Sequence, residues 1–413
     1  MRIVSGSPAR RLVGKLASRG AQLEKLEPKV RRIIDDLRCN GGRALRRYAQ
    51  RWDSLRPGQP LQVTEGEMAA ALKSLHPELK KALKLAAGNI RRFASWQKPA
   101  AWMKSVDGIS LGQVVRPLES VGCYVPGGRH PLVSTLLMTV IPAQVAGVQN
   151  IRVVSPNPSP EVLGAAAMLG VREFYRVGGA QAVAALAYGA DSIPAVSKIV
   201  GPGNSYVTVA KKLVCFDCAI DFLAGPTEAL VLSEAGNPEF IAADLVAQVE
   251  HDPEALALLI TTSEKLAKQV ANSVTRAARE SETAQAAIKN RGAILVAPSR
   301  SQARVWANQI AAEHITVPGE DVPYITNAGS IFVGDYSAQA AGDYATGPNH
   351  VLPTGAQARV RGGLSVMDFV KISTVQRVTK QGLLGIAPAV ELLAEAEGLA
   401  AHAKSIRVRR EHA

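Results

Sequence analysis

Apolar residues recur three and four apart in VRRIIDDLRCNGGRALRRYAQRWD and PELKKALKLAAGNIRRFASWQ, so residues 1 to about 105 read as amphipathic helix. The texture then changes. Short β-branched runs that end in Gly, Ser, Pro or Thr alternate with helical patterns: VGCYVPGG, IRVVSPNP, REFYRVGG, KIVGPGN, EALVLSE, LALLITTS, AILVAPS and SIFVGD. That alternation predicts parallel sheets covered by helices. Two series are visible, roughly 119–228 and 229–335, with the break near AGPTE, and the chain reads as helical again from about 366.

The 413 residues suffice for two or three domains, and 47% hydrophobic against 20% charged residues describes a globular chain. The net charge of +13 raises the question of nucleic acid. Its densest cluster is RVRR at 407–410 without interleaved aromatics, so no nucleic-acid groove is expected. The uncharged stretch 131–151 has the length of a membrane span, but Pro142, Gln144, Gln149 and Asn150 predict a buried helix and turn instead. Four cysteines are too few for a disulfide scaffold, and the lone Cys215-x-x-Cys218 reads as incidental apolar thiols; a reducing cytoplasm is expected.

Candidate chemistry lies with the seven histidines. His76 and His412 sit in charged contexts, and His130 follows a Gly-Gly turn. His251 lies in QVEHD, three residues after Gln248 and therefore on the same face of a helix; Glu250 points elsewhere. His314 follows Glu313, His350 follows Asp343 by seven residues, and His402 follows Glu397 by five. Gln248, His251, Asp343 and His402 offer oxygen and nitrogen donors that suit zinc, and no H-E-x-x-H is present. Glu313 and His314 diverge as chain neighbours and suit separate proton transfers. GPGNSY at 201–206 begins like a dinucleotide fingerprint but has Tyr206 at the third glycine position. From the residues alone, the chain is an α/β enzyme with a metal and a phosphate-bearing ligand.

Several stretches taken together resemble the histidinol dehydrogenase family. They include VGCYVPGGRHPLVSTLLMTVIPAQVAGV, GGAQAVAALAYG, KIVGPGNSYV, DFLAGPTEALVL, AADLVAQVEHDP, AAEHITV, AGDYATGPNHVLPT, GLSVMDF and AEGLAAH, in order from about residue 25 to 405. The resemblance implies oxidation of L-histidinol to L-histidine, the last step of histidine biosynthesis, by two NAD-dependent hydride transfers through an enzyme-held aldehyde. It implies one zinc per subunit on Gln248, His251, Asp343 and His402, with His314 as general base and Glu313 activating water. Thr227, His350 and Glu397 would contact substrate together with the zinc ligands and His314, and Tyr124, Gln181 and Asn204 would line the NAD site. Thr227 departs from the family's frequent Ser but keeps the hydroxyl.

The fold so implied is α/β, with two Rossmann-like parallel-sheet domains of incomplete topology and helical terminal segments. The expected boundaries are an N-terminal helical arm (1–24), a discontinuous first domain (25–118 and 229–365), a second domain (119–228) and a C-terminal helical tail (366–413). The tail would reach the other subunit of a cytoplasmic homodimer with shared active sites. The alternative is a paralogue acting on another small polar alcohol, such as a sulfonated diol. His350 and the Glu397/His402 couplet favour an imidazole-bearing substrate, because a sulfonate pocket calls for Arg or Lys.

Overall fold

The computed structural model describes residues 1–19, 23–127 and 132–412. The Arg129-His130 pair lies outside the described residues. In chain order the strands are β1 Arg2–Ser5, β2 Trp102–Val106, β3 Ile109–Pro117, β4 Ser120–Tyr124, β5 Asn150–Val154, β6 Glu173–Tyr175, β7 Lys198–Val200, β8 Ala219–Ile220, β9 Glu228–Leu232, β10 Leu256–Thr261, β11 Ala293–Val296, β12 His314–Val317, β13 Ser330–Val333 and β14 Val370–Val378. The chain divides into two compact units, one of residues 1–97 and 119–369, the other of 98–118 and 370–413.

The larger unit holds two parallel sheets, ordered β6-β5-β4-β7-β8 and β1-β11-β10-β9-β12-β13. Both follow one plan. The chain starts centrally (β4 or β9), adds two strands outward, then crosses over to add two on the other side. This is the 3-2-1-4-5 order of a doubly wound fold without its sixth strand, so the incomplete Rossmann-like topology is present twice. β9 and β10 are buried along their whole length, as strands covered on both faces must be. Leu230 and Leu232 pack with the helices Gly6–Ala17 and Arg300–Ile310, while Ala229 and Val231 pack with the helices Pro238–Ala247 and Glu264–Ala277. The two-residue period thus divides the core between the two faces.

Local chemistry sets the helix starts. Ser159, Asn204, Asn237, Ser263, Ser281 and Ser299 each cap an orphan backbone N–H, and Thr64 with Glu67 forms a reciprocal capping box. The stretch expected to be buried helix rather than membrane span is the helix Val133–Ala146, buried through most of its length and closed by Gly147 at φ 98°. No helix among the described residues is long and apolar enough to cross a membrane.

The smaller unit is an antiparallel sheet, β14-β3-β2, with the helices Lys380–Ala396 and Ala400–Glu411. β2 and β3 form a hairpin through Asp107 (φ 50°) and Gly108 (φ 78°). An Asp-Gly turn flanked by strand residues is a strong hairpin signal, and the helical reading passed over it.

Three expectations are corrected. The opening arm (1–24) begins as a strand, because Arg2–Ser5 finds a vacant parallel edge beside β11. The tail (366–413) is not helical throughout: VKISTVQRV is β14, whose β-branched residues pair with β3. Residues 25–97 do not join the sheet of 229–365. The helix Glu27–Trp52 packs on the helices Gly179–Tyr188 and Ser205–Val214, Glu65–Ser74 on Pro160–Met168, and Pro77–Gln97 on Val133–Ala146, all of them helices of the β4 sheet. An apolar stripe says that a helix is covered, not by which sheet.

Candidate active site

The β4 sheet has its topological switch point between β4 and β7, the place where doubly wound sheets take ligands. Tyr124 ends β4, Gln181 lies in the first turn of the helix after β6, and Asn204 caps the helix after β7, all at the carboxyl ends of the strands. Tyr124 and Gln181 are buried, whereas Asn204 is exposed. Gly201, with φ 113°, passes so close to the Tyr124 carbonyl that a Cβ would collide with it. GPGN is therefore a close-approach turn and keeps the glycine that matters.

A buried ion pair holds that turn. Lys211 and Asp221 are almost fully enclosed and form a salt bridge. Lys211 Nζ donates to the Gly201 carbonyl at 3.0 Å, and the Gly201 N–H donates to Asp221 Oδ2 at 2.8 Å. Asp53, at the end of the helix Glu27–Trp52, accepts from the Gly178 N–H at 3.1 Å and from Gln181 Nε2 at 3.0 Å. Sequence reasoning found neither device. A lysine with apolar neighbours in VTVAKKLV is a faint signal for the first; nothing local marks Asp53.

The histidine-rich site lies at the other edge of the other sheet, at the amino ends of β9 and β12. The helix Arg300–Ile310 stops at Ala311 (φ 50°), and Glu313-His314 lead into β12 between β9 and β13. Close approach by the chain at Gly329 helps place them: a Cβ there would meet the Glu313 carbonyl oxygen at 2.6 Å. His314 Nε2 is 3.2 Å from Asp343 Oδ1, and Gln248 Nε2 donates to Asp343 Oδ2 at 2.6 Å. His350 Nδ1 donates to the Asp343 carbonyl at 2.7 Å, and its Nε2 is 3.3 Å from Thr135 Oγ1. A cavity of about 320 Å³ opens beside these groups, lined in part by His314, Ser330, Phe332, Asp343, Asn349 and His350.

Behind His314, Glu313 accepts the Glu228 N–H at 3.0 Å, and its Oε2 lies 3.7 Å from His314 Nδ1. That Nδ1 is buried with no hydrogen-bond partner among the described residues. Burial pushes the Glu313 carboxyl up to about 8, against the pull of His314 and the backbone bond. Burial pulls His314 down, but the Glu313 and Asp343 carboxylates outweigh it and the net shift is upward. Asp343 is lowered: burial raises it, and the bonds from His314 and Gln248 with the neighbouring His350 more than reverse that. His350 is lowered by burial, which suits a neutral ring. Glu228, also buried, is paired with Arg19 and accepts the Gly355 N–H.

The structure therefore brings Gln248, Asp343, His314, Glu313 and His350 together. His251 is exposed and sits 3.3 Å from Thr227 Oγ1 through its Nε2. The expected shared helix face is corrected: the helix Pro238–Ala247 ends with Gln248 as its cap, so His251 lies beyond it. The Gln248 N–H bonds back to Asp244 while Val249 turns to Val246, which tightens and closes the last turn. Glu397 and His402 lie in the smaller unit, exposed. Cys218 is buried, its thiol pushed up to about 11 by burial, and all four cysteines are free.

Among the described residues, no three His, Cys, Asp or Glu side chains converge to hold a metal on their own. The donor chemistry nevertheless fits a borderline divalent cation: a carboxylate (Asp343) against an amide (Gln248), with an imidazole (His251) three residues on.

Two incomplete doubly wound sheets, one with a close-approach glycine turn at its switch point and the other with a histidine between two carboxylates, define an α/β protein of the doubly wound class. The family model described as histidinol dehydrogenase matches residues 16–410. A histidinol dehydrogenase of Methanothermobacter thermautotrophicus is 46% identical over 391 residues, covering 91% of this chain and 92% of that protein. One of Aquifex aeolicus is 43% identical, covering 96% and 95%. The crystal structure of histidinol dehydrogenase from Elizabethkingia anophelis superposes with a TM-score of 0.94 at 36% identity, covering 100% of this chain and 98% of that one. The chain belongs to the histidinol dehydrogenase family.

Proposed function

We propose that this protein oxidises L-histidinol to L-histidine with NAD and one zinc per subunit, as a cytoplasmic homodimer serving the last step of histidine biosynthesis. The observation that carries the mechanism is the Glu313–His314–Asp343 array, whose His314 and Asp343 line a cavity. In each step the substrate loses a proton and a hydride. R-CH2OH becomes R-CHO, and the aldehyde plus water becomes R-COOH, with two NAD reduced and two protons released from the substrate carbon's hydroxyls. Tyr124, Gln181 and Asn204 would hold NAD at the carboxyl ends of β4, β6 and β7, where it would supply the hydride acceptor.

His314, its ring oriented by the Nε2 contact with Asp343, takes the hydroxyl proton, and a positioned base of this kind contributes roughly 10²–10⁴-fold. Glu313, with its pKa pushed up to about 8, exchanges a proton near neutrality and activates the water that hydrates the aldehyde. Gln248, His251 and Asp343 would hold zinc with His402 from a second copy, and the zinc would fix the orientation of substrate amine and imidazole. His350, kept neutral by burial, and Thr227 would meet the substrate, with Glu397 of the second copy beside the imidazole. The dimer is supported by the smaller unit, which exposes Trp102, Met103, Val106, Leu392 and Leu393.

The test is to mix the protein with L-histidinol, NAD and zinc and follow NADH. Two NADH per substrate, lost on chelation and restored by zinc, are expected. No NADH from the zinc-loaded protein refutes the assignment.

A further inference from the structure

We propose that Asp53 is a positioning residue of the dinucleotide site, fixing the Gly178–Gln181 turn and the orientation of the Gln181 amide from beneath. The inference rests on the NAD reading above and extends it to a residue 128 positions from Gln181 in sequence.

Asp53 is 7% exposed, and no Lys or Arg forms an ion pair with it among the described residues. A carboxylate enclosed without a counter-charge is costly unless its oxygens are used as acceptors. Here one oxygen, Oδ2, takes both the Gly178 N–H and Gln181 Nε2. The next N–H, of Gly179, donates to the Tyr124 hydroxyl at 2.9 Å. Two consecutive backbone donors at the start of the helix Gly179–Tyr188 are thus held by side chains from two distant elements. Gly179 itself has φ 62°, and a Cβ there would meet the Gln181 amide oxygen at 2.7 Å, so the turn closes tightly over that amide.

An ionised carboxylate only accepts, so the face of Gln181 turned to Asp53 must be its NH2. The amide oxygen is then turned away from Asp53 and lies against Gly179, so Asp53 and the turn together lock the amide of a side chain that is 2% exposed. With Asp53 removed, the amide is free to rotate and the turn loses an anchor. Affinity for NAD should suffer, while His314 and the substrate cavity, on the other sheet, should not.

Asp53→Ala removes both hydrogen bonds and is expected to raise the KM for NAD about tenfold, with kcat at saturating NAD and the KM for L-histidinol unchanged. Asp53→Asn, whose carbonyl oxygen can accept the same two bonds, should restore the parent KM. NADH binding, followed by its fluorescence, separates the failures. If the parent protein binds no NADH, the NAD reading falls. If the parent binds and Asp53→Ala binds equally well, only the role of Asp53 falls. Should Asp53→Ala not fold, Gln181→Glu sets two carboxylates against each other, and adding Asp53→Asn restores a donor–acceptor pair. Recovery of NADH affinity in the double variant supports the proposal; simple additivity of the two changes overturns it.

Discussion

His314 places Nε2 3.2 Å from Asp343 Oδ1, while Gln248 occupies the other carboxylate oxygen of the same residue at 2.6 Å. One aspartate therefore joins the proposed base to the proposed metal donors. Substitutions on its two sides should separate chemistry from metal retention.

On the base side, His314→Ala should lower turnover by about 10²–10⁴-fold while zinc content, measured by elemental analysis, stays at the parent level. Loss of zinc together with activity would show that His314 acts through the metal site instead.

On the metal side, His251→Ala should leave the fold intact by circular dichroism and abolish stoichiometric zinc. His251 is exposed and, among the described residues, its side chain bonds to Thr227 alone, so its removal disturbs little packing.

Glu313→Gln should stall the second oxidation, lowering the yield from two NADH per L-histidinol toward one, with aldehyde trapped by a carbonyl reagent. An unchanged yield would remove Glu313 from water activation.

Glu313 also carries a stability signature. Its folded pKa, about 8, lies above the ordinary glutamate value of 4.5, so between those pH values the folded state holds a proton that the unfolded state has lost. Stability contributed at this position is therefore present at low pH and falls as pH rises through that window. In metal-free protein, Glu313→Gln should be stabilising by a few kcal/mol (~1.4 per pKa unit, an upper bound for a relaxed site) at pH 9 and nearly neutral at pH 4. Urea midpoints at both pH values check the sign.

Lys211→Met strands the Asp221 carboxylate in the core beneath Gly201. Breaking a buried pair from one side costs about 3–5 kcal/mol, and replacing both partners with apolar residues costs less. Denaturant curves for Lys211→Met and for the double variant with Asp221→Leu test the order.

The alternation of β-branched runs with helical spacing was enough to read both parallel series, because strands buried on two faces need continuous apolar residues. All eight runs picked out in that way are strands. β1, β8, β12 and β14 escaped because short or edge strands are defined by their partners more than by their own pattern, and the β2–β3 hairpin carried an Asp-Gly turn that was there to be read. The site was legible as a set of residue types in ordered motifs. Its Gln248–Asp343–His314 contacts were not, since residues 95 and 29 positions apart meet only through the packing of β9, β12 and the helices around them.

What the sequence determined by itself is therefore local and chemical: helix caps, buried strand runs, the glycine that GPGN needs, and the family to which the ordered motifs belong. The tertiary structure decided which sheet each helix covers. It ended the helix before His251, sealed Lys211 against Asp221, and set Asp53 under Gln181. The physical reason is common to all four: a side chain announces what it can bond or bury, and only the folded chain brings the partner within reach.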